Sequence, residues 1–143
     1  MRRLLLLLVI LATLAGCQNY EKALEQSVAR ADETGAIALL RAIALAERTY
    51  SVTNSGEYGT LKQLADGGFL DARYASDKPA KDYVVTLVVT PKEPGTPEGS
   101  FACNADPEKP GERVGRHFYL DSSSMYVHYN DTQRATASDK IVQ

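Results

Sequence analysis

The chain has 143 residues, 16 of them basic and 18 acidic, with a formal charge of −2 and two cysteines. That length holds one domain with a real core, and two cysteines are too few for a disulfide framework. The mildly acidic balance gives no electrostatic footprint for nucleic acid, which is excluded as a partner.

Met1-Arg2-Arg3 opens the chain, the apolar run Leu4 to Leu11 follows, and Leu14-Ala15-Gly16-Cys17 comes next. A basic start, a short apolar core and small residues at the cut make a secretory signal. The apolar stretch, about 13 residues, is shorter than the ~20 that span hydrocarbon. The ending Leu-Ala-Gly-Cys resembles the bacterial lipobox. The resemblance implies cleavage before Cys17, diacylation of its sulfur and acylation of the new amino terminus. Residues 1–16 then form a signal peptide and residues 17–35 a lipidated start and helical stalk; residues 36–143 form a globular domain. No polybasic patch assists, so the membrane is held through lipid on Cys17, and two or three acyl chains hold it stably. Gln18 is not the Asp that retains lipoproteins at the inner membrane in some bacteria, a lean toward the outer membrane with the protein facing the periplasm. With Cys17 lipidated, Cys103 has no partner within the chain. It reads as a buried thiol, a small hydrophobe with no local positive charge to activate it.

Tyr20 to about Thr53 reads as one helix, with Leu24, Val28, Ala31, Gly35, Leu39, Ala42, Ala46 and Tyr50 recurring at steps of three or four. Its first half, with Glu21, Lys22, Glu25, Gln26, Arg30, Asp32 and Glu33, is polar around that stripe and reads as a stalk, so Glu21, Lys22 and Glu25 are expected in solvent. Its second half is apolar on most sides and should be packed. Gly35, near the change, is a candidate flex point. Glu47 either accepts hydrogen bonds from the following loop or sits at a solvated edge, and the second is the expectation. Asn54-Ser55-Gly56 stops the helix, Thr60 caps a short helix over Leu61 to Ala65 with Leu61 and Leu64 inward, and Gly67-Gly68 ends it.

Strands follow. Asp82 to Thr90 is rich in β-branched residues and places Tyr83, Val85, Leu87 and Val89 on one face. Pro91 to Ser100 is a turn leading into Phe101-Ala-Cys103, and Asn104 to Gly115 is a second long loop. Arg116 to Leu120 and Met125 to Tyr129 pair as a hairpin. A four-residue loop, Asp121 to Ser124, sets Leu120 against Met125 and Phe118 against Val127. His117 and His128 then lie opposite one another on the solvent face, short of the ligands a metal site needs. Residues after Asn130 form a tail loosely packed on the sheet. The predicted fold is α+β: a long amino-terminal helix on a small antiparallel sheet of three to four strands.

The order of these pieces resembles the globular domain of type IV pilin-like proteins, including type II secretion pseudopilins. The resemblance is carried by Ala46-Glu-Arg-Thr-Tyr50, Gly56-Glu-Tyr-Gly59-Thr-Leu-Lys-Gln-Leu64, Gly68-Phe-Leu-Asp71, Lys81-Asp-Tyr83, Phe101, Arg116-His-Phe-Tyr-Leu-Asp121 and Ala135-Thr-Ala-Ser-Asp139. It implies a pilin-like head and partners among envelope, secretion or pilus proteins. The chain departs from that family at its start: the prepilin cleavage site is missing, and the mature helix begins polar at Cys17-Gln-Asn-Tyr-Glu. Some pseudopilins bind calcium in a late loop, but Asp121 and Asp131 are too few acids for a calcium shell. Ser122, Ser123 and Ser124 lack a base and read as turn residues. Acid–base pairs and metal-ligand spacings are absent, so a non-enzymatic protein without metal or cofactor is expected. The alternative is an envelope module that binds a ligand or glycan, with a pocket at Tyr119 and Tyr126 or at the Pro91–Ser100 loop.

Overall fold

The computed structural model describes residues 2–76, 78–109 and 115–143, with side chains from Tyr20 onward. One helix, α1 (Arg2–Thr53), runs through the signal segment and the expected stalk into the globular part. At 1.5 Å per residue it is about 78 Å long. A six-residue helix, α2 (Leu61–Asp66), and a 3-10 turn (Ala72–Ala75) follow. The sheet is built from β1 (Tyr83–Thr90), β2 (Ser100–Pro107), β3 (His117–Asp121), β4 (His128–Asn130) and β5 (Lys140–Ile141). Its spatial order is β1-β2-β3-β4-β5, every pair antiparallel, so each strand lies beside its neighbours in sequence. The fold is α+β as predicted, with five strands rather than three to four.

The fifth strand comes from the residues expected to form a loose tail. Val142 donates its N–H to the Val127 carbonyl at 2.8 Å, and Asn104 Nδ2 donates to the Ala135 carbonyl at 3.2 Å. β2 likewise continues to Pro107, through part of the expected second loop.

α1 lies across β2 and β3. Ala36, Leu39, Leu40, Ile43 and Ala46 meet Phe101, Cys103, Ala105, Phe118 and Leu120 in one buried cluster. β1 buries alternate residues, with Tyr83 buried and Val85, Leu87 and Val89 half-buried on the predicted face. The apolar stripe on α1 needs rotating. Leu24, Ala31 and Gly35 are exposed, while Ala29, Glu33, Ala36, Leu40, Ile43 and Glu47 face the sheet. The reason is that small Ala residues surround the helix, so composition alone leaves its orientation open, and the bulky triplet Leu39, Leu40, Ile43 decides it. Packing also starts at Ala29, within the segment expected to be stalk.

α2 is set by its own sequence. Thr60 accepts from the Gln63 N–H at 3.2 Å while the Gln63 side chain accepts from the Thr60 N–H at 2.8 Å, a reciprocal capping box. Leu64 is fully buried and Leu61 packs at the edge of the core.

Candidate functional site

Glu47 is fully buried on the sheet side of α1. Its Oε2 accepts the Gly59 N–H at 2.8 Å, and Oε1 has no hydrogen-bond partner. The expectation of a solvated edge is therefore corrected: the carboxyl reaches the loop after the helix. Burial pushes its pKa up to about 7, against the opposing pull of the Gly59 N–H. Gly59 permits the approach, since a Cβ there would stand 3.1 Å from Leu64 Cδ2 and 3.3 Å from Tyr50 Cε1.

Glu33, in the polar half expected to be stalk, is buried as well. Its Oε1 accepts the Arg116 backbone N–H at 3.0 Å, and its Oε2 takes Nε at 3.1 Å and Nη2 at 3.0 Å. The same guanidinium lies 4.6 Å from the Tyr129 ring centroid. This forked contact ties the start of β3 to α1.

The histidines do not pair. β3 and β4 align Phe118 with Tyr129 and Tyr119 with His128, two residues out of the predicted register. Met125, at φ 57°, lies in a longer connection instead of a strand. A two-residue slip keeps each residue on its face but separates the histidines. His117 Nδ1 lies 2.7 Å from Asp106 Oδ1, whereas His128 is buried with Nδ1 2.9 Å from the Asp139 carbonyl. Among the described residues no three His, Cys, Asp or Glu side chains gather where a metal ion could be held.

Asp121 organises the hairpin connection. Its Oδ1 accepts from the Ser123 N–H at 3.1 Å, Ser123 Oγ at 2.8 Å, the Ser124 N–H at 3.0 Å and Ser124 Oγ at 3.2 Å. Its Oδ2 accepts from the Tyr119 hydroxyl at 3.1 Å. Burial would raise its pKa, but these donors outweigh it and hold the carboxyl below the ordinary carboxylate range. Sequence reasoning missed one neighbour: His128 Nε2 lies 3.4 Å from Ser124 Oγ. That hydroxyl already faces the Asp121 carboxylate, and the contact belongs to the turn. Cys103 is fully buried in β2, and burial pushes its thiol up to about 12.

A cleft of about 110 Å³ between α1 and β1, lined in part by Ala29, Tyr83 and Pro107, is too small for a ligand of ordinary size. A wider, open cleft of about 500 Å³ lies beside Pro91, between Tyr50, Tyr58 and Val89. Tyr126 stands exposed and Tyr119 is engaged with Asp121.

The outward face of α1 is bare. Tyr20 is 72%, Leu24 53%, Leu45 68% and Val52 80% exposed. Arg30, Arg41 and Arg48 are exposed beside them.

The Cys17 side chain lies outside the described residues. Residues 1–18 match the family model of the prokaryotic membrane lipoprotein lipid attachment site. The chain carries a lipid-attachment signal. This signal makes it a lipid-anchored protein of the cell envelope, associated with a membrane. Among the described residues no helix is long and apolar enough to cross a membrane. Comparisons with curated proteins and with solved structures return no significant match.

Proposed function

We propose that this is a non-enzymatic, lipid-anchored envelope protein whose pilin-like head works by contact with other proteins, in a pilus or secretion assembly. The observation that carries the reading is the continuity of α1, which joins the lipid-attachment segment to the packed head without an intervening loop. A head fixed to an anchor by one helix is held at a set height and presents its surfaces to neighbours at that level. Gln18 after Cys17, where an inner-membrane retention signal would have Asp, favours a reading with the lipid in the outer membrane and the head facing the periplasm. The polar groups of the head support a structural role. Glu33, Glu47, Asp121 and His128 are each engaged by neighbouring elements or by their own turn.

Two measurements test the reading. Cys17→Ser should leave an uncleaved precursor or release the protein from membrane pellets. Normal maturation with normal pelleting would overturn the anchor. Cross-linking in intact envelopes should give discrete adducts with pilus or secretion proteins. A wild-type protein that forms none would overturn the interaction role.

A further inference from the structure

The charges of α1 are sorted by face. From Gln26 to Thr53 the helix holds three acids, Asp32, Glu33 and Glu47, and three arginines, Arg30, Arg41 and Arg48. The acids turn toward the rest of the head: Asp32 to Lys81, Glu33 to Arg116 and Glu47 to Gly59. The arginines are exposed and make no ion pair among the described residues.

The exposed apolar residues are sorted too. Leu24, Ala31, Ala38, Leu45 and Val52 follow one another at every seventh residue, and all five are exposed. Tyr20 precedes Leu24 by one turn. All the large exposed apolar side chains described on α1, namely Tyr20, Leu24, Leu45 and Val52, fall on this seam. It is distinct from the inward face that packs on the sheet. A strict seven-residue repeat drifts by about 20° per heptad on a straight helix, so a mate must follow it with a left-handed wrap. From Leu24 to Val52 the seam is about 42 Å long at 1.5 Å per residue.

We propose that this seam docks a helix of another protein, apolar at seven-residue spacing and acidic where it meets Arg41 and Arg48. The choice of occupant follows from charge. Arg41 and Arg48 stand three residues after Ala38 and Leu45, on the seam itself. A second copy of this chain, anchored by its lipid to the same membrane and so running parallel, would bring each arginine against its own counterpart. Among the described residues, its own α1 has no exposed acid after Glu25 to relieve them. A mate bearing Glu or Asp gives both apolar burial and paired charge. This inference rests on the interaction role proposed above and names the surface and the chemistry of the partner.

The test uses the full lipidated protein in nanodiscs and two synthetic helical peptides. Both carry Leu at every seventh residue. One places Glu, the other Lys, at the positions that meet Arg41 and Arg48. The Glu peptide should bind at least tenfold more tightly than the Lys peptide by fluorescence anisotropy. Arg41→Glu with Arg48→Glu should reverse that order, and Leu45→Asn should weaken the Glu peptide at least tenfold. These side chains are exposed, so circular-dichroism melts should match wild type. Equal binding of both peptides, binding of neither, or no reversal would overturn the proposal. Self-association abolished by Leu45→Asn would overturn it in favour of a second copy. Binding of the lipid-free protein to anionic but not neutral vesicles, lost with the two arginines, would overturn it in favour of the membrane surface. Envelope cross-links that survive Leu45→Asn would leave the interaction role standing and reject the seam. A wild-type protein with no cross-links, but with the peptide preference above, would reject the role and keep the surface.

Discussion

Burying the Glu47 carboxyl beside a single backbone donor makes its protonation part of the fold. Its pKa rises from 4.5 to about 7 on folding. Below pH 4.5 it is protonated in both states and exacts no ionisation cost. Between 4.5 and 7 the unfolded chain ionises first, so native stability falls as pH rises; above 7 the loss is complete. The shift amounts to on the order of 3 kcal/mol. Wild type should therefore have a higher urea midpoint at pH 5 than at pH 8, and Glu47→Gln should flatten that difference. An equal fall in the variant would assign the pH dependence to other groups. Asp121 acts with the opposite sign, because its lowered pKa favours the native state above the carboxylate range. Nothing local in Ala46-Glu-Arg-Thr-Tyr50 announces this burial. A glutamate between Ala and Arg reads as solvated, and only the loop that returns Gly59 to the helix reverses the reading.

Gly56 shows how the end of α1 is locked. At φ 86° it accepts a left-handed conformation, donates to the Ser51 carbonyl at 2.8 Å and accepts from Gly99 at 2.9 Å. A Cβ at this position would stand 2.3 Å from the Pro97 oxygen. Gly56→Ala should cost roughly 1–3 kcal/mol for the backbone conformation alone, and the clash adds to it. Thermal melts measure this; a change below about 0.5 kcal/mol would mean that the Pro97 loop yields. Elements stabilised locally were legible in the sequence. The Thr60 cap, the alternation of β1 and the stop at Asn54-Ser55-Gly56 all carry their signals within a few residues. The hairpin register was not legible, because Asp121 Oδ1 gathers four hydrogen bonds from Ser123 and Ser124 and Met125 takes a positive φ, which widens the connection. β5 was missed because its two residues gain order from pairing with His128 and Tyr129 of β4. The Glu33–Arg116 fork, whose partners lie 83 residues apart, has no sequence signal at all.

At the level of the whole molecule, anchor, helix and head form one line, with lipid attachment at one end and the sheet at the other. Self-assembly through the start of the helix is disfavoured: Tyr20 to Ser27 is exposed throughout and carries Glu21, Lys22 and Glu25. The mature chain without lipid, beginning at Gln18, should remain monomeric or form small oligomers in sedimentation velocity. Long filaments in electron micrographs, lost when residues 18–35 are removed, would overturn that expectation. The meander of the sheet bears on a separate matter, the order in which the protein comes into being. Strands adjacent in sequence close short loops and pair quickly. α1 instead waits for Phe118 and Leu120, which lie far along the chain from Leu39 and Ile43. For a chain delivered amino terminus first, α1 is the earliest part to arrive and the latest to be sheltered. Its apolar inner face must stay out of wrong company through most of that delivery, which makes Leu39, Leu40 and Ile43 the natural hold for whatever escorts the newborn chain.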